Sequence, residues 1–157
     1  MAKEIERKYL VLTQKYKNEA IRAIEIAQGY ISRDPLRTVR VRIKEEKGYL
    51  TIKGLTRGCE RDEWEFEIPV DDAREMLERV CEGMILSKTR YIVPFGELKW
   101  EVDEFHGKLE GLTVAEVELP SADYNITALP DFAGREVTGD ERYYNSSLSA
   151  GVIPPVA

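Results

Sequence analysis

Along most of this chain charged and apolar residues alternate with a period of two. The segments "TVRVRIK", "DEWEFEI", "LSKTRYIV", "KWEVDEF" and "VAEVEL" each put charges on one face and apolar side chains on the other. That pattern belongs to β-strands, in which successive side chains point to opposite faces. Segments of this kind fall at 3–12, 25–33, 38–46, 49–55, 61–69, 84–93, 97–105 and 113–119. So many strands with few helices predict an α+β fold dominated by an antiparallel sheet, and eight strands are enough to close a β-barrel.

The connections are read from their turn residues. Gly48 marks a turn between the third and fourth strands, "TRGCERD" a loop after the fourth, and "PFGE" a hairpin between the sixth and seventh. "NEAIRAIEIA" carries a mixed helical pattern and predicts a short helix before the second strand. "DDAREMLERVCEG" predicts a second helix, N-capped by Asp71 or Asp72 and ending before Gly83, with Ala73, Met76, Leu77 and Val80 on its apolar face. Cys81 falls in that helical pattern and Cys59 in a loop. One or two further short helices are expected between Ser121 and Leu148, and residues 150–157 read as a tail on a single domain spanning 1–157.

With 157 residues, 43% hydrophobic and 33% charged, the chain has material for one core and does not read as disordered. A formal net charge of −6 argues against nucleic-acid binding by a globally basic surface. Two cysteines outside any zinc spacing read as reduced thiols. With no apolar leader and no stretch of about 20 apolar residues, the expectation is a cytoplasmic protein without a membrane partner, either a monomer or a homodimer.

The charges are sorted by sign as well as by face. Arg40, Arg42 and Lys44 share one face of a strand, Lys88 pairs with Arg90, and Lys53 stands alone among uncharged neighbours. Glu4 and Glu6, Glu63 and Glu65, Glu101 and Asp103, and Glu116 and Glu118 form acidic pairs at i, i+2. Like charges at this spacing repel, so selection for stability alone would interleave them. If the charged faces line a barrel, Arg40, Arg42, Lys53, Lys88 and Arg90 suit a polyanion. Glu4, Glu6, Glu116 and Glu118, with Asp103, suit hard divalent cations, which take oxygen ligands. Both clusters in one cavity describe a site for a metal-bound polyphosphate. Leu10 and Leu12 continue the Glu4–Glu6–Lys8 face and mark where the first strand leaves that site for a packed region. His106, the lone histidine, reads as a loop residue, and Trp64 and Trp100 as packing residues on the faces opposite the acids.

"EIERKYLV" resembles the ExExK signature of the CYTH superfamily, the triphosphate tunnel metalloenzymes. The resemblance continues in order through "QGYIS", "VRVRIK", "TIKG", "EWEFEI", "KTRY", "EVDEFHGKL", "VAEVEL" and "EVTGDERYYN", covering residues 3–149. It implies a closed eight-stranded antiparallel tunnel that binds a triphosphate substrate and needs Mg2+ or Mn2+. By matching motif, Lys8, Arg40, Arg42, Lys53, Lys88, Arg90 and Arg142 would hold the triphosphate. Glu4, Glu6, Asp103, Glu116 and Glu118 would hold metal, and Glu63 and Glu65 would be further tunnel acids. Within the superfamily the chain is similar to the short bacterial group that hydrolyses inorganic tripolyphosphate, in which a tyrosine and lysine across the tunnel accompany that preference. Tyr30 and Lys88 match them here, and with Lys8 form the expected catalytic set. It departs from close relatives at Glu141, where a basic residue often precedes the arginine. Alternatives on the same scaffold are a nucleoside or thiamine triphosphatase, an adenylate cyclase, or a non-catalytic polyphosphate-binding module.

Overall fold

Strand alternation prevails wherever it competes with a helical reading. The computed structural model describes residues 1–157. In it the expected helix over "NEAIRAIEIA" is reduced to α1 (Tyr16–Glu19), and strand pairing starts at Arg22. Ile24 and Ile26, two apart, are both buried on one face of that strand, a period no helix can satisfy.

Eight antiparallel strands close a barrel. They are β1 (Ala2–Val11), β2 (Arg22–Ser32), β3 (Thr38–Lys44), β4 (Lys47–Lys53), β5 (Glu60–Ile68), β6 (Glu82–Phe95), β7 (Leu98–Phe105) and β8 (Thr113–Glu118). Around the wall the order is β1-β5-β4-β3-β2-β6-β7-β8 and back to β1. The first strand is the closing stave, pairing with β8 along Glu6–Leu10 and with β5 only along Ala2–Ile5. A ninth strand, β9 (Ala133–Glu136), takes up the edge that β5 leaves, at Tyr9 and Val11. The region from Ser121 to Leu148 therefore holds a strand as well as short helical pieces, a 3-10 turn at Glu141–Tyr143 and the start of α3 (Asn145–Ser149).

The main hydrophobic core lies outside the barrel wall. Tyr9, Val11, Val93, Trp100, Val102, Ala115 and Val117 point outward from β1, β6, β7 and β8. Tyr16, Leu119 and Phe132 cover them, Phe132 meeting Trp100 edge-to-face at 5.9 Å. On the opposite side α2 (Val70–Arg79) packs across β3 and β4. Gly48 makes that approach possible, since a Cβ there would lie 2.8 Å from the Cβ of Ala73. Gly48 is thus a strand residue, and the turn is made by Glu45 and Glu46, with Glu45 at φ 56°.

Several local expectations change. The second helix starts at Val70 after Pro69, so Asp71 and Asp72 sit in its first turn, where they favour the dipole without capping it. It ends at Arg79, leaving Val80 53% exposed and Cys81 in the connection to β6. Trp64 is 37% exposed on the outer face of β5, which no helix covers, whereas Trp100 is fully buried. Leu10 enters the packed floor of the barrel, but β1 ends at Val11 and Leu12 is 64% exposed.

Gly83 joins the barrel to its floor. It has φ 72°, and a Cβ there would sit 2.5 Å from the carbonyl oxygen of Ser149 in α3. Gly83→Ala is expected to cost about 2 kcal/mol through backbone strain and this clash. Thermal unfolding should show a Tm lower by roughly 4–8 °C. An unchanged Tm would show that α3 does not pack this closely on β6.

Candidate active site

Cross-strand register, more than any single motif, assembles the lumen. On β1 the inward residues are Glu4, Glu6, Lys8 and Leu10, and the last three lie opposite Glu118, Glu116 and Val114 of β8. Glu116 in turn faces Glu101 of β7, and Asp103 of β7 faces Arg90 of β6. Across the barrel Tyr30 of β2 faces Arg40 of β3, Arg40 faces Thr51 of β4, and Lys53 faces Glu63 of β5. Directly paired residues share a face, so the inward charges of seven strands and Tyr30 of β2 meet in one interior space.

That space is polar above and apolar below. Leu10, Leu86, Phe105 and Val114 continue the inward faces and meet Leu109, Leu112, Val137, Tyr143 and Leu148 to form a floor. Over it lies a cavity of about 210 Å³ lined by 25 residues, of which three are hydrophobic. The lining includes Glu4, Glu6, Lys8, Tyr30, Arg40, Arg42, Lys53, Glu63, Glu65, Lys88, Arg90, Glu116 and Glu118.

Ionic contacts within the lumen run between neighbouring staves. Lys53 Nζ lies 2.8 Å from Glu4 and 3.5 Å from Glu63. Glu65 accepts from Thr51 Oγ1 at 2.7 Å and from Arg42 and Arg40 at 3.3 and 3.5 Å. Lys8 is 3.5 Å from Glu116. Glu6 and Glu118 have no cation within ion-pairing distance, and they titrate accordingly. Burial, with Glu116 and Glu4 adding repulsion, holds the Glu6 carboxyl well above the usual carboxylate range. Burial and the charges of Glu4 and Glu101 raise Glu118. Burial also opposes ionisation of Glu4 and Glu116, but Lys53 beside the first and Lys8, Arg90 and Lys88 beside the second bring both down to about 2. On the basic side, burial and the charges of Arg40 and Arg90 lower Arg42 to about 10.

Two residues stand apart from the lining. Asp103 is 2% exposed and fully engaged, receiving Arg90 Nε at 2.7 Å, Arg90 Nη2 at 2.9 Å and Lys88 Nζ at 2.7 Å. A carboxylate so engaged supports two cations, and it lies outside the cavity lining. Arg142 lies outside too, its side chain about half exposed and held by Asp140 at 3.0 and 2.7 Å. The 3-10 turn sends Arg142 outward and Tyr143 into the floor.

The cavity also gathers residues that alternation does not reveal. Thr138 lines it and accepts the backbone N–H of Lys8 at 2.9 Å, while Arg61 reaches in to donate to Thr38 Oγ1 at 2.6 Å. Tyr144 and Asn145 reach it from the start of α3. Their signal was the "RYYN" string, whose arginine turns away while the next three residues turn in. Glu101 was legible as the alternation partner of Asp103, and Lys44 as that of Arg42; both line the cavity.

Burial also weakens the hold of Lys88 on its proton. Despite Asp103 beside it, removal from water and the charge of Arg90 bring its ammonium down to about 8.

Comparison with known proteins agrees with this geometry. The CYTH domain profile matches residues 2–148. An inorganic triphosphatase of Acetivibrio thermocellus is 49% identical over 148 residues, covering 94% of each chain. A crystal structure of an inorganic triphosphatase superposes with a TM-score of 0.69 at 30% identity, covering 98% of this chain and 99% of the other. A conserved protein of Pyrococcus furiosus shares the fold, with a TM-score of 0.61 at 23% identity over 76% of this chain and 80% of its own. Sequence and architecture together show that the chain belongs to the CYTH domain family.

Proposed function

We propose that this protein is a cytoplasmic, divalent-metal-dependent triphosphatase that hydrolyses inorganic tripolyphosphate to pyrophosphate and phosphate. The observation that carries the reading is one small cavity in which Lys8, Arg40, Arg42, Lys53, Lys88 and Arg90 face Glu4, Glu6, Glu116 and Glu118. The relatives named above as inorganic triphosphatases support the same activity. A lining with three hydrophobic residues among 25 favours an all-phosphate ligand over one that carries a base or a thiazole ring.

The basic side chains neutralise and orient the triphosphate, which must lose much of its negative charge before a nucleophile can approach. Asp103 aims Arg90 and Lys88 from behind, and Glu65 does the same for Arg40 and Arg42. Tyr30 borders this basic wall across from the acids.

The acid wall fits a hard cation. Its donors are all carboxylates, and Glu6 and Glu118 have no counter-ion of their own. An all-oxygen donor set of this kind suits magnesium or manganese. Such an ion, when bound, would spread phosphate charge and lower the pKa of a coordinated water. Glu4, Glu6, Glu116 and Glu118 are the residues that would hold it.

Phosphate release should be measured from tripolyphosphate, ATP and thiamine triphosphate, each with magnesium, with manganese and with a chelator. Fastest turnover is expected on tripolyphosphate, with none in chelator. Preference for ATP or thiamine triphosphate would overturn the substrate assignment, and binding without turnover would make the protein a polyphosphate-binding module. Lys8→Ala, Arg42→Ala and Glu116→Ala should each lower kcat/KM by about 10²–10³ while the chain stays folded. Near-normal rates in all three would remove the site assignment.

Lys88 predicts the alkaline limb. Its folded pKa is lowered to about 8, so the ammonium is charged below that pH and lost as pH rises through it. In the free enzyme kcat/KM should therefore fall with a midpoint near this value. Lys88→Arg keeps its charge and should move the fall to higher pH. An unmoved limb would show that another group controls it.

A further inference from the structure

The carboxy-terminal residues form no helix or strand, yet they are tied to the floor of the cavity. Tyr143 is 1% exposed within that floor. Its hydroxyl donates to the backbone carbonyl of Pro155 at 2.6 Å and accepts from Arg135 at 3.3 Å. Pro154 is buried, although the residues on both sides of it are exposed.

The same short segment holds two buried lysines of the lumen. The carbonyl of Tyr143 accepts from Lys8 Nζ at 3.3 Å, and the ring of Tyr144 lies 5.8 Å from that ammonium. Asn145 Oδ1 accepts from Lys88 Nζ at 3.2 Å. A carbonyl and a carboxamide are neutral acceptors. Beside the carboxylates of Glu116, 3.5 Å from Lys8, and Asp103, 2.7 Å from Lys88, they fix where each ammonium points without adding further negative charge.

Asp140 caps the turn through Arg142, but little else local makes this segment rigid. It is a single 3-10 turn followed by a five-residue helix, and structures that short are marginal without tertiary support. Leu148 packs into the floor and Ser149 Oγ donates to the carbonyl of Met84 at 3.1 Å, which anchors the far end. The Tyr143–Pro155 hydrogen bond anchors the near end.

We propose that residues 152–157 are a strap that holds Tyr143 in place, and that Tyr143 and Pro155 are thereby positioning residues for Lys8 and Lys88. The effect on turnover rests on the triphosphatase reading above, whereas the effect on the lysines does not. Displacing a catalytic group by about 1 Å can cost up to about 10²-fold in rate, so contacts at this remove have leverage on the chemistry.

The test compares the full chain with a chain ending at Gly151, with Tyr143→Phe, and with the two combined. Tyr143→Phe keeps the ring in the floor and carries the test if the shortened chain fails to fold. Acetylation of each lysine is followed by mass spectrometry, alongside kcat and KM on tripolyphosphate and thermal unfolding. Lys8 and Lys88 should acetylate several-fold faster in each variant, and kcat should fall about 10-fold with little change in KM. The effects of the two changes should be less than additive in the double variant, because each removes the Tyr143–Pro155 hydrogen bond. Unchanged lysine reactivity overturns the strap, and so does faster acetylation with full-chain kcat. If the full chain hydrolyses no triphosphate, the triphosphatase reading fails and the strap stands or falls on lysine reactivity alone.

Discussion

The structure depends on keeping many ions inside a closed barrel. Removing a single charge from water costs several kcal/mol unless it is paired and hydrogen-bonded. Here the register of neighbouring strands provides the pairing. Lys53 meets Glu4 and Glu63, Glu65 meets Arg40 and Arg42, and Asp103 meets Arg90 and Lys88. Because the interior is given to charge, the core has to lie elsewhere. It is divided between a shell outside the wall, around Trp100 and Phe132, and the floor beneath the cavity.

The pairing is incomplete on both walls, and that is where function enters. Glu6 and Glu118 have no cation of their own, and Arg42 is short of negative partners. A lumen selected only for stability would balance these charges or replace them by apolar side chains. A metal-bound triphosphate would supply both missing signs, positive at the acids and negative at the bases. The interior is thus most complete when its ligand is present.

Much of the fold was legible because strand alternation is a local property with a period of two. The assignment of Arg40, Arg42, Lys53, Glu116 and Glu118 to one face needed only counting. Asp103 and Arg142 lie outside the cavity lining for different reasons. Asp103 does point inward, but Arg90 and Lys88 from the next strand engage both its oxygens, and no residue near it in sequence announces this. Arg142 sits in a 3-10 turn, where direction changes from one residue to the next and no periodicity applies. Trp64 and Leu12 were read as packed because their strands alternate, but whether an outer face is covered depends on remote segments.

The sequence by itself determined which side chains share a strand face, where the sign of charge changes, and that the first strand turns apolar at Leu10. These follow from backbone geometry, which repeats every two residues whatever the surroundings. Only the tertiary structure decided that Tyr144, Asn145 and Thr138 join the site, that the tunnel has an apolar floor, and that the last residues brace it through Tyr143. Those are contacts between segments far apart in the chain, made when the barrel closes and its ends are filled. Their partners are chosen by shape and by the need to satisfy buried donors and acceptors, and no short stretch of sequence encodes that choice.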